Sequence, residues 1–298
     1  MVGNVAQARR RVAQRGWLAR RSVQTAILRI GTVVIIVAGA LLLMVPLIWM
    51  VSTSLKTNAE AFLFPPRWLP RHWLWRNYIE AIRAIDFFLY VRNTVIVTVA
   101  SLLGQVITSS LVGFGFARLR ARGRDLLFIV LLATMMLPYQ VTLVPVYLMF
   151  KQIGWLNTFL PLIVPNWLGG GAFFIFLMRQ FFSTLPLELD DSAKIDGCGL
   201  FAIYSRILLP LTKPALATVA IFGFFGHWND FMGPLIYLSK NNLYTLALGL
   251  QFYVTAHGQV KWNLMMAATC MSVLPLLIVF FSAQRTFVQG VALTGIKG

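Results

Sequence analysis

Residues 186–214 read PLELDDSAKIDGCGLFAIYSRILLPLTKP, a polar island between long apolar runs. The island holds Glu188, Asp190, Asp191 and Asp196, four of the nine acidic residues in the chain. Pro186 suits a helix start, because its missing N–H is not needed in a first turn. Glu188, Asp190 and Asp191 then fall near the positive end of that helix, where carboxylates are favoured. Asp196-Gly197 is a turn signal, and glycine takes the left-handed cap conformation readily. The stretch therefore predicts a two-turn helix stopped by Asp-Gly. A second helical stretch, 200–209, leads on to Pro210. A short helix laid across the tips of two membrane helices is suited to passing rigid-body motion into them. The plainer alternative is an amphipathic loop lying on lipid. Its acidity argues against that, since the cytoplasmic leaflet is anionic.

Around the island the chain is lipid-like. It is 58% hydrophobic and 12% charged, against about 45–50% and about 25% for soluble domains. A membrane span needs about 20 mainly apolar residues. Six stretches qualify: 27–51, 90–116, 126–150 (interrupted by Pro138 and Pro145), 159–182 (with Gly169, Gly170 and Gly171), 211–235 and 263–284. The first is too long for a signal-peptide core of about 7–15 residues. The expected fold class is thus an all-α integral membrane protein of six transmembrane helices, with the short helix between spans four and five. A basic N-terminal segment (1–26) precedes the six-span domain (27–284, its polar loop at 183–210), and a tail (285–298) follows.

Six spans put both termini on one side. That side would carry seventeen Lys and Arg, against nine on the other. Orientation follows the Lys and Arg count, so both termini and the polar island are expected in the cytoplasm. The net charge of +17 is read as this topological bias and not as a nucleic-acid surface. The long outer segment, 52–88, is rich in aromatic residues and proline. Trp68, Trp73, Trp75 and Tyr78 suit an interfacial belt or a contact surface for an extracytoplasmic partner.

Several chemistries find no support. No G-x-x-x-x-G-K-[ST] occurs, so no nucleotide is held in a P-loop. No H-E-x-x-H or Cys/His metal spacing occurs; His72, His227 and His257 are scattered through the outer regions. Cys198 and Cys270 give no disulfide framework. Neither catalytic nor metal-binding residues are expected. Counted from Pro210 along a straight helix, Asp230 lies roughly 30 Å on, near the outer surface and poorly placed for a proton relay.

The island resembles the EAA loop of ATP-binding-cassette (ABC) importer permeases, whose core reads E-A-A-x-x-D-G-A. Residues 191–198 read DSAKIDGC. Asp191 stands for Glu, Ser192 for the first Ala and Cys198 for the last Ala; each keeps charge sign or small size. The likeness extends over residues 27–298. Residues 56–78 are similar to the K-x-x-x-E…P-P-x-W-L-P…N-Y segment of carbohydrate-uptake permeases. Residues 118–123 match R-x-R-x-x-G, and residues 134–145 resemble M-M-L-P-x-Q…P. Residues 228–235 match W-N-D-F…P-L, and residues 287–298 resemble the F-V-x-G…G-x-K-G ending. The chain is similar to the carbohydrate-uptake, maltose-transporter type of permease.

The resemblance implies a coupling helix that docks on a cytoplasmic ATPase, with Glu188, Asp191, Ser192, Ala193, Asp196 and Gly197 as the ATPase-coupling residues. Arg206 and Lys213 are expected to brace it. Gly295, Lys297 and Gly298 would belong to an ATPase-contacting tail. Trp228, Asn229 and Asp230 are candidates for an outer gate or substrate path, against the plain reading of helix–helix packing. The implied partners are a second homologous permease, a homodimeric ABC ATPase that binds ATP and Mg, and an extracytoplasmic solute-binding protein. This chain would hold no cofactor of its own and bind no nucleic acid. The setting is a bacterial or archaeal cytoplasmic membrane. The substrate expected is an oligosaccharide. Nine outer cations against Glu60, Glu80 and Asp86 point to an acidic one. Alternatives are another solute such as glycerol phosphate in the same architecture, or a secondary transporter or channel.

Overall fold

A computed structural model describes the backbone of residues 2–255 and 260–295, and the side chains of 28–254 and 260–284. The described residues form helices and connecting turns, with no strand. Four helical stretches are long and apolar enough to cross a membrane: Leu28–Ser54, Phe87–Arg118, Leu160–Thr184 and Trp262–Gln284. Two bent helix pairs, Arg124–Thr134 with Tyr139–Gln152 and Leu200–Leu211 with Lys213–Trp228, bring the number to six if each pair is one span.

The helices used below are α1 (Val2–Ser54), α2 (Arg76–Ala84), α3 (Phe87–Arg118), α4 (Arg124–Thr134), α5 (Tyr139–Gln152), α6 (Leu160–Trp167), α7 (Ala172–Thr184), α8 (Glu188–Ile195), α9 (Lys213–Trp228), α10 (Met232–Tyr237) and α11 (Trp262–Gly295). The centre of the molecule is α3, against which α6, α7 and α9 all pack. Its inward face carries many polar or small residues among the apolar ones: Asn93, Thr94, Ser101, Gln105, Ser110 and Gly113 are buried. Between helices in lipid, where apolar side chains gain little by association, such residues allow close approach and cross-helix hydrogen bonds. A Cβ on Gly113 would lie 2.6 Å from Cβ of Met178 on α7, so the two backbones meet there only because the side chain is absent.

Along α3 the contacts run in register from one end to the other. Tyr90 bonds Asn241 at 2.5 Å, and Asn93 donates to the carbonyls of Asn242 and Tyr244. Ser101 donates to Leu162 O at 3.0 Å, and Gln105 meets His227. Ser110 meets Tyr204 at 2.7 Å, and Arg118 closes the far end. Three apolar clusters follow the same axis, around Tyr90 and Trp228, around Val97 and Tyr237, and around Phe114 and Phe182.

Two of the expected spans differ in detail. Of the two prolines in the third, Pro138 breaks the helix, with α4 and α5 bent by 99°, while Pro145 is carried inside α5. Pro138 disfavours helical backbone in the residue before it, whereas one missing N–H within α5 is tolerated in a membrane helix. The fifth is not continuous over 211–235. It bends by 78° at Thr212 and ends at Trp228, with α10 beginning again at Met232. The stretch before it is helical as expected, but Ile203–Leu208 is wound as a π-helix, a form that turns up as short insertions at functional positions.

Candidate coupling helix and substrate cavity

The helix predicted from the polar island is α8, two turns long. The N–H groups of Asp190 and Asp191 donate to Leu187 O at 2.9 and 3.1 Å. Glu188, Asp190 and Asp191 occupy its first turn and Lys194 its last, the charge order a helix dipole favours. Its end is a paired cap. Gly197 N–H donates to Lys194 O at 3.0 Å, and Cys198 N–H to Ala193 O at 2.9 Å. Gly197 has φ of +79°, which this cap requires of its residue and which glycine adopts without strain.

One face of α8 is buried and the other open. Ala193 is 4% exposed and packs against the cluster of Phe114, Phe182, Tyr204 and Leu208. Asp191, Ser192, Lys194, Asp196 and Gly197 are exposed. Lys194 pairs with Asp191 at 3.1 Å across the open face, a contact worth little in water. Apolar side chains also lie open here, with Ile195 86% and Phe201 73% exposed, beside Leu187 and Leu200. An exposed apolar group rimmed by charge is characteristic of an interaction surface. The alternation of polar and apolar residues in the island carries this signal, although Ile195 and Phe201 are not among the motif residues.

The expected brace by Arg206 and Lys213 is absent among the described residues. Arg206 and Lys213 are exposed and form no ion pair among the described residues. Behind α8 stands Arg118 instead, the last residue of α3. Its guanidinium donates to Phe182 O at 2.8 Å and Leu185 O at 2.7 Å, and lies 3.7 Å from the carboxylate of Asp190. The two side chains are 3% and 9% exposed, the one buried ion pair among the described residues.

The second candidate site is a cavity of about 780 Å³ between α5, α6 and the α9–α10 junction. Tyr139, Trp155 and Tyr237 supply aromatic faces, and Asn166, His227 and Asp230 supply polar groups. Flat apolar faces with a few polar groups are the lining that small-molecule sites use. Asp230 accepts from Gly233 N–H at 3.1 Å, which caps the start of α10. Its two sequence neighbours do not line the cavity. Trp228 is buried, stacks on Phe224 with ring centres 5.5 Å apart and donates to Ser272 O at 3.0 Å. Asn229 is exposed and donates to Phe225 O at 2.9 Å. For those two the packing reading describes the geometry.

Asp230 lies between two levels of α3. His227 Nε2 lies 2.7 Å from Oε1 of Gln105, past the midpoint of α3. Asp230 lies against Gly233, which approaches Leu162, whose carbonyl is held by Ser101. Asp230 is thereby linked through Gly233 and Leu162 to the middle of α3, while Trp228, two residues before it, packs in the cluster of Phe87 and Tyr90. Gly295 is described only as the end of the α11 backbone, while Lys297 and Gly298 lie outside the described residues.

Residues 105–293 match the family described as binding-protein-dependent transport system inner membrane component. The chain belongs to this family. Among its relatives is the arabinooligosaccharides transport system permease protein AraQ of Halalkalibacterium halodurans, 31% identical over 248 residues that cover 83% of this chain and 86% of that protein. Another is the trehalose/maltose transport system permease protein MalG of Thermococcus litoralis, 30% identical over 89% of this chain and 97% of its own length. The fold of this inner membrane component is shared with a chain of a bacterial ABC transporter involved in the import of the acidic polysaccharide alginate. That likeness has a TM-score of 0.77 at 22% identity and covers 88% of this chain and 96% of that one. The chain is thus a membrane permease component of an ABC importer of the sugar-uptake kind, and not its catalytic subunit.

Proposed function

We propose that this permease pairs with a second, homologous permease and two copies of an ABC ATPase to import an oligosaccharide delivered by an extracytoplasmic binding protein. In this reading the chain crosses the membrane six times with both termini in the cytoplasm, each bent helix pair serving as one span. ATP and Mg belong to the ATPase. The observation that carries the reading is α8 itself. It is a capped two-turn helix with an open face of Asp191, Ser192, Ile195 and Asp196 and a buried back. An ATPase dimer that closes on ATP would move α8, and α8 the spans. Residues Gly295, Lys297 and Gly298 are assigned to the tail that reaches the ATPase, and Asp230 to the substrate path.

The test is ATP-driven uptake by the assembled importer. Asp196→Lys and Gly197→Pro should each abolish uptake while the chain still inserts in the membrane. Normal uptake in both would remove α8 from coupling.

The cavity favours a neutral sugar, because its polar side chains, Asn166, His227 and Asp230 with Tyr139, Trp155 and Tyr237, include no Lys or Arg. The excess of outer cations supports a second reading, an acidic glycan. Binding-protein-stimulated ATPase activity with neutral and with uronate oligosaccharides separates the two, and stimulation by neutral sugars alone would exclude the acidic one.

A further inference from the structure

We propose that Arg118 is the positioning residue that locks α8 to α3 and α7, so that a displacement of α8 reaches both helices as one rigid body. The inference rests on the permease reading above and adds what stands behind the docked face. A single planar guanidinium joins three elements. It ends α3, it caps the carbonyls of Phe182 and Leu185 where α7 finishes, and it faces the Asp190 carboxylate on α8. Free carbonyls at a helix end attract a cation, and only arginine presents enough fixed donors to serve carbonyls and a carboxylate together.

The remaining contact between α8 and the bundle is apolar, chiefly Ala193 among Phe114, Phe182 and Tyr204. Apolar contacts are non-directional and let a small helix slide. A buried ion pair resists separation, because parting leaves each charge without compensation. The helices it joins are already packed on each other, since α3 and α7 touch at Gly113 and Met178 and at the ring pair Phe114–Phe182, 5.8 Å apart. Arg206 and Lys213, exposed at the surface, leave Arg118 as the cation that faces Asp190.

The experiment uses the whole importer in proteoliposomes and needs no identified sugar. Met149, half exposed in the cavity wall, is replaced by cysteine. Its labelling by a charged maleimide is timed with and without ATP plus vanadate, against a control lacking the added cysteine. Vanadate-trapped nucleotide is measured in the same samples. With Arg118 intact, trapping should change the labelling rate by about tenfold, within the usual range of coupling between sites. Arg118→Gln and Asp190→Asn should trap nucleotide yet lose that response. An unchanged response at equal trapping would overturn the proposal. Should a single variant fail to assemble, the pair Arg118→Met with Asp190→Leu decides. Both charges are then gone and packing is kept; a lost response supports the lock, and a restored one shows that contact alone suffices. No labelling response in the parent importer would count against the permease reading instead.

Discussion

Gln105 and His227 are 122 residues apart in sequence, and their side chains meet at 2.7 Å inside the helix bundle. Gln105 is 1% exposed, and its amide lies where a Cβ on Gly223 would stand 2.7 Å away. The pair therefore ties α3 to the last turn of α9 beside the cavity. Gln105→Leu leaves the imidazole without its partner. A fully buried polar group so abandoned costs about 1–3 kcal/mol; the half-buried imidazole loses less, and thermal unfolding of the purified chain in detergent should show a modest fall in Tm.

Asp230→Asn keeps an oxygen to accept from Gly233 N–H and removes the charge. The variant should assemble with an unchanged Tm. If the carboxylate holds a sugar hydroxyl, the loss of a charge-assisted hydrogen bond of about 1.5–3 kcal/mol should raise the half-saturating sugar concentration for uptake by at least about tenfold. Unaltered half-saturation would take Asp230 out of the substrate path.

Gly113→Ala places a methyl group 2.6 Å from Met178 Cβ and 3.0 Å from the Arg179 backbone nitrogen. Neither neighbour is a flexible chain end, so α3 and α7 must separate. Overpacking of this kind costs about 1–3 kcal/mol, and a lower Tm in detergent is the expected result, with binding of the ATPase less affected than stability.

Ile195→Asp changes a side chain that is 86% exposed. Surface substitutions of this sort alter stability by less than about 0.5 kcal/mol, so the Tm should hold. Recovery of the ATPase on the purified permease should fall, because the apolar centre of the open face of α8 is lost. Full recovery would place the docking contact elsewhere.

What sequence revealed and what it did not divide along the range of the interactions. The start of α8, its two turns and its stop at Asp196-Gly197 were legible because first-turn charge and a glycine cap are decided within about ten residues. The apolar runs were legible for the same reason. The bend at Thr212 was not, since a proline on either side, Pro210 and Pro214, permits a turn without fixing its angle. Nor was the contact of Arg118 with Asp190 legible. Arg118 is one of four arginines in seven residues, and only the approach of α3 to α7 singles it out.

From residue 28 to residue 46, every residue of α1 is exposed within this chain, and part-buried positions begin at Leu47. Then come Trp49 against Trp68 and the buried Lys56, whose ammonium donates to Arg67 O. Residues 28–46 answer to the thickness of the bilayer more than to the shape of any surface on their own fold. This stretch behaves as a mooring line made fast at one end. Its apolar length can drift with the lipids of the host while the machinery at Lys56 and beyond stays as it is.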